Sequence, residues 1–244
     1  MVCYSAYSGG KGVEDYCDHV RRALEEWCRL KPYYWGWVEK MFKGEDAVGV
    51  AILFHDIGKL GRFYIGVMTD KRQMRGSYVR HELISAYWAY RLLGVPLRYY
   101  VAAAVALHHE PMLLGTYADA VGERQIHIST LYAALRETDL GLGCRPSCGA
   151  VPCVSEKYVE LVERGLDMWE GGVVSADDVV EAFRDLMVFL TAGPSAEVRR
   201  KRAAVGGLLH LLVVSDSRAA MRGRGEGGTV IARQSCMAEP APCL

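Results

Sequence analysis

The sequence predicts an all-α fold, and three observations carry that expectation. Apolar residues recur at helical spacing, or run unbroken, in one segment after another. Capping and breaking residues stand between those segments, and strand signals are almost absent apart from Thr229 to Ala232. A chain of 244 residues supports one substantial core, and no linker-like stretch divides it until close to its end. One domain over 1–222 is expected, followed by a Gly-rich tail over 223–244.

From Glu14 to Leu30, the residues Val20, Ala23, Leu24 and Trp27 make the apolar face of a helix that carries His19 near its start. Pro32 is expected to end it. An aromatic stretch (Tyr33, Tyr34, Trp35, Trp37) and a polar turn at Lys43 to Asp46 lead into an apolar run beginning at Ala47. That run reads as a buried helix ending in His55-Asp56, after which Gly58 lets the chain turn and Lys59 offers a cation to an anionic substrate. Between Arg62 and Arg80, the cations Arg62, Lys71, Arg72, Arg75 and Arg80 face only Asp70. A solvated loop and a phosphate-facing loop both fit that excess.

The next helix, Val79 to Leu93, has His81 and Ser85 on one face, and Gly94 and Pro96 break it. Tyr99 to His109 is almost wholly apolar until it ends in His108-His109-Glu110-Pro111. Ser129 is expected to cap a helix reaching Asp139, and Gly141 to Pro152 to form a long loop. A further helix follows from Glu156. Ser175 with Asp178 opens another that Gly193 and Pro194 close, and Ser195 caps a last one through about Met221.

Lys plus Arg equal Asp plus Glu at 29 each, so any attraction to nucleic acid must be local. No apolar run reaches the roughly 20 residues of a membrane span. Met1 to Tyr16 lacks the pattern of a signal peptide, so a cytoplasmic protein is expected. The eight Cys residues form no pair of Cys-x-x-Cys knuckles. Cys144, Cys148 and Cys153 have no evident fourth zinc ligand, so buried thiols or disulfides are expected, the latter pointing to a thermophilic source.

An ionised carboxylate beside an imidazole at the floor of a core must be hydrogen-bonded or hold a cation. Five of the seven His residues, His19, His55, His81, His108 and His109, lie on inferred helices or at their ends. Any one alone fits a satisfied core histidine, but five together with Asp56 point to a metal centre. Imidazole-rich sites with a few carboxylates suit manganese, iron, cobalt, nickel or zinc better than magnesium. Asp56 is placed to bridge two ions, and the chemistry that follows is activation of water against a phosphodiester, with Asp56 and Lys59 catalytic.

HDIGK, from His55 to Lys59, is similar to the signature of the HD phosphohydrolase superfamily, an all-helical fold with its metal site at the centre. His19, then RGSYVRHELISA with His81 and Ser85, then ALHHE with His108-His109, resemble the HD nuclease of type I CRISPR systems in its stand-alone form, from Tyr4 to about Gly225. The resemblance implies metal-dependent cutting of single-stranded DNA, with RNA a further substrate, alongside a separate helicase and a surveillance complex. SGGKG at Ser8 to Gly12 lacks the spacing of a nucleotide loop, so no helicase motor is expected in this chain.

The resemblance also implies a metal set of His19, His55, Asp56, His81, His108 and His109, closed by a late Asp followed by Ser. Asp216-Ser217 fits, with Asp139 the competitor; the apolar run Leu208 to Val214 favours Asp216, because a buried carboxylate needs a partner. Phosphate contacts are expected from Lys59, Arg72, Arg75, Ser85, Ser217 and Arg218, with Arg222 and Arg224 also flanking the site. A nucleotide phosphohydrolase of the same superfamily and a non-catalytic, metal-stabilised helical subunit are the alternative functions.

Overall fold

The computed structural model describes residues 2–8, 10–69, 79–109, 128–172 and 174–224. The fold centres on α2, Ala47–Phe54, every residue of which is buried. A helix that is apolar all round finds no solvent face, so the other helices enclose it. Asp46 caps it, accepting from Gly49 N–H at 3.0 Å, and also receives Trp27 Nε1 at 3.0 Å and Lys31 Nζ at 2.8 Å. A short 3-10 helix, Ile57–Leu60, follows, and then α3, Arg62–Thr69.

Around α2 stand α1 (Tyr16–Phe42), α4 (His81–Leu92), α5 (Leu97–Leu107) and α9 (Ser195–Arg224). α4 packs on α5, and α9 crosses both α1 and α5. Outside them lie α6 (Ile128–Arg136), α7 (Glu156–Gly171) and α8 (Ala176–Thr191). Ser175 caps α8 as expected, accepting from Asp178 N–H at 3.1 Å. Among the described residues, no helix is long and apolar enough to cross a membrane.

Several expected boundaries move. Pro32 does not end α1; the helix runs through it, with Pro32 exposed. Glu14 lies not in that helix but in β2, Lys11–Asp15, which pairs antiparallel with β1, Tyr4–Ser8. This hairpin was absent from the sequence reading, and Thr229 to Ala232, the one strand expected, lies outside the described residues. Ser129 sits inside α6 rather than capping it, and α9 continues through Gly223 to Arg224, into the expected tail.

Three disulfides join the loop between α6 and α7 to the other end of the chain: Cys3–Cys144, Cys17–Cys148 and Cys28–Cys153. Two lie on α1 and one just before β1, so the loop is tied along the flank of the helix that carries His19. Cys236 and Cys243 lie outside the described residues. Replacing Cys17 and Cys148 together by Ser should lower the unfolding free energy by about 2–4 kcal/mol. The midpoint of urea unfolding reads this directly, and an unchanged midpoint would remove the disulfide's role as a brace.

Candidate metal centre

Five elements meet at one buried point. α1 supplies His19 from its first turns, and the C-terminal end of α2 supplies His55 and Asp56. α4 begins with His81, α5 ends in His108-His109, and α9 brings Asp216. The start of α4 is pressed onto the turn after α2: Ser85 Oγ accepts from Gly58 N–H at 2.9 Å. A Cβ on Gly58 would lie 2.2 Å from the His81 carbonyl oxygen, so only glycine admits this approach.

The ligand atoms fall into two groups, His19, His55 and Asp216 in one and His81, His108 and His109 in the other, each with its atoms within 4.8 Å of one another. Asp56 lies between them and is fully buried. Its Oδ2 faces the first group, 3.4 Å from His19 Nε2 and 3.5 Å from His55 Nε2. Its Oδ1 faces the second, 3.3 Å from His81 Nε2 and 3.9 Å from His108 Nε2. Asp216 Oδ1 is 3.0 Å from His19 Nε2 and 3.6 Å from His55 Nε2.

The outer nitrogens are held from behind. His55 Nδ1 meets the Ile52 carbonyl at 2.7 Å and His108 Nδ1 the Val105 carbonyl at 2.6 Å, which turns each Nε2 inward. The Nε2 atoms of His19, His55, His81 and His108, together with Asp56 Oδ1, are buried and lack a hydrogen-bond partner. Five converging orphan atoms would each carry a desolvation cost of about 1–3 kcal/mol if nothing bound them. That is the fit expected of a divalent-metal centre, and the donor set of imidazoles and carboxylates suits transition metals.

The electrostatics suit ligation as well. Burial would raise the Asp56 carboxyl, but His55, Lys59 and His81 outweigh it and hold the pKa well below the usual range. Burial and the neighbouring imidazoles push His108 well down; burial and then His81 bring His109 to about 4, so both rings are neutral. Burial would lower Lys59, but Asp56 dominates and keeps it charged, with Nζ 2.7 Å from Asp56 Oδ2.

The expected ligands therefore come together, with Asp216 and not Asp139 in the cluster. Asp139 is exposed, accepts from Gly141 N–H at 3.0 Å and lies 3.5 Å from Arg62. Three side chains expected at phosphates have protein partners in the structure. Ser85 is buried and accepts from the Gly58 N–H. Arg218 is 1% exposed, 3.9 Å from Glu26, because α9 packs it against α1. Arg222 also pairs with α1, at 2.7 Å from Glu26 and 3.4 Å from Glu25. Ser217 is partly buried next to Asp216. Lys71, Arg72, Arg75 and the Arg224 side chain lie outside the described residues, as does His127. Glu14 and Glu82, which stand behind His19 and His81, were missed; the only sequence signal was the His81-Glu82 dipeptide.

No protein-family model matches the chain. A curated relative from Thermoproteus tenax, a CRISPR-associated endonuclease Cas3-HD, is 45% identical over 239 residues, covering 98% of this chain and 99% of its own. A second of the same description, from Methanocaldococcus jannaschii, is 24% identical over 229 residues and covers 86% of each chain. The solved structure of a CRISPR-associated Cas3 HD domain protein from Methanocaldococcus jannaschii superimposes with a TM-score of 0.57 at 22% identity, over 87% of this chain and 100% of that one, which supports the fold.

Asp216→Asn should lower metal occupancy sharply, whereas Asp139→Asn should leave it intact and alter only the stability of a surface turn. Metal content of the two purified variants, measured by mass spectrometry, decides between them; loss in Asp139→Asn with retention in Asp216→Asn would reverse the assignment.

Proposed function

The chain belongs to the family of CRISPR-associated Cas3-HD endonucleases, and on that premise we propose that it hydrolyses phosphodiester bonds of single-stranded DNA. The observation that carries the reading is Asp56, with one oxygen turned to each group of three further ligands. Two divalent ions are to be held there, manganese, nickel, cobalt or iron before magnesium: one by His19, His55 and Asp216, the other by His81, His108 and His109, with Asp56 shared. What such ions supply when bound is a water of lowered pKa and neutralisation of charge developing on the phosphate.

The chain's own residues do the rest. Burial of Asp56 keeps bulk water from the floor of the site and strengthens each electrostatic contact made there. Lys59, charged and beside Asp56, is the cation available to a phosphate oxygen once the carboxylate is occupied elsewhere. Arg72 and Arg75, in a segment where Arg and Lys outnumber acids, are the further cations that hold phosphates in this reading. A separate helicase and a surveillance complex deliver that strand in the cytoplasm, RNA being a further substrate.

His55→Ala and Asp56→Ala should each abolish cutting of circular single-stranded DNA with added manganese or nickel, while circular dichroism stays helical; chelation should act alike. A folded variant that cuts at the wild-type rate would disprove the site. Phosphate release from free nucleotides with no cutting of circular DNA would instead establish a nucleotide phosphohydrolase.

Neutralising Arg72 and Arg75 to Gln should weaken DNA binding and reduce the salt slope by roughly one charge per lost contact, without changing metal content. A slope equal to wild type would return these residues to a solvated loop.

A further inference from the structure

Behind the cluster stand two buried carboxylates that the proposed hydrolysis does not use, one hydrogen-bonded to a ligand imidazole and one facing a ligand imidazole as a charge. Glu14 Oε1 is 3.2 Å from His19 Nδ1 and 3.3 Å from the Arg22 guanidinium. Glu82 Oε2 is 3.3 Å from His81 Nδ1 with no hydrogen bond between them, and Glu82 Oε1 accepts from Arg80 at 2.7 Å. Both acids are among the most buried charged residues described. Each group of ligands thus has one imidazole held by a backbone carbonyl three residues earlier, His55 or His108, and one facing a carboxylate that an arginine steadies.

These two supports are not equivalent. A carbonyl within a helical turn is placed by the helix and carries no net charge. A carboxylate hydrogen-bonded at Nδ1, as Glu14 is to His19, fixes the tautomer, aims Nε2 at the centre and makes the ring a stronger donor, and one that only faces the ring, as Glu82 does His81, adds negative charge beside it. The arginine on each carboxylate restrains it from swinging round to become a ligand itself. An ion pair serving only to join elements would have no need of an imidazole at its other side, and burying one is a weak source of stability.

We propose that Glu14 and Glu82 are positioning residues that each serve one half of a two-ion centre, Glu14 through His19 and Glu82 through His81. The inference rests on the two-ion reading given above. It follows that the two halves can be weakened separately from behind, with every ligand still present. The half made of three imidazoles has no carboxylate ligand besides the shared Asp56, and Glu82 is a further negative charge beside it.

The test is titration of the apo protein with manganese alone, followed by calorimetry and by the electron paramagnetic resonance of the coupled ion pair. Wild type should take up two ions per chain. Glu14→Gln and Glu82→Gln should each weaken one ion by about 10–100-fold and erase the coupled signal at concentrations that saturate wild type. Gln keeps an acceptor but drops the charge, so Glu14→Ala should lose more than Glu14→Gln, whereas Glu82→Ala should match Glu82→Gln at the ion. In a His19→Ala background, Glu14→Gln should change nothing further, whereas Glu82→Gln should still weaken the remaining ion. An equal effect of Glu14→Gln with and without His19, or a lower melting temperature with both ions retained, would make these residues structural and overturn the inference. A wild-type chain that binds fewer than two ions overturns the two-ion reading and this inference with it.

Discussion

The structure depends on one buried carboxylate. Asp56 has no exposure, yet its neighbours hold it ionised, with Oδ2 on Lys59 and Oδ1 facing His81 and His108. An uncompensated charge at that depth would cost several kcal/mol, so the helices around it are committed to supplying compensation. α2 has no polar face and must lie at the centre, which carries Asp56 to the centre as well. Gly58 then lets the first turn of α4 close on that point, and α9 seals it with Asp216.

Much of this was readable in the sequence because the signals are local. Apolar runs that end abruptly in His or Asp, as at His55-Asp56 and His108-His109, place polar groups at inner helix ends, and the structure puts them there. Asp216 was favoured over Asp139 for the same reason, since a carboxylate after Leu208 to Val214 needs a partner in a way that one before Gly141 does not. Other features depend on contacts far along the chain. The hairpin segments YSAYS and KGVED have no clean alternation, and their pairing is held by the helices and loop packed against them. Arg218 looked like a phosphate ligand because its partner, Glu26, lies 192 positions away in sequence. Pro32 was misread because the burial of α1 on both sides of it, up to Leu30 and again at Val38 and Phe42, outweighs the one backbone bond that a proline removes.

The disulfides show how the scaffold manages a centre that is polar where most cores are apolar. All three bind the 144–153 loop to β1's approach or to α1, beside the elements that position Glu14 and His19. Cross-links of this kind restrict the unfolded chain and leave the polar cluster free to be shaped by ligation rather than by stability. The expectation of buried thiols or disulfides is met by the three cross-links among the described residues.

The first and last ligands, His19 and Asp216, belong to α1 and α9, which lie against each other although nearly the whole chain separates them. No fragment made earlier in synthesis contains the full set, so the centre can close only after the final helix has docked. The cluster is thereby tied to completed topology: a chain interrupted before α9 would lack Asp216, the carboxylate that completes the group with His19 and His55.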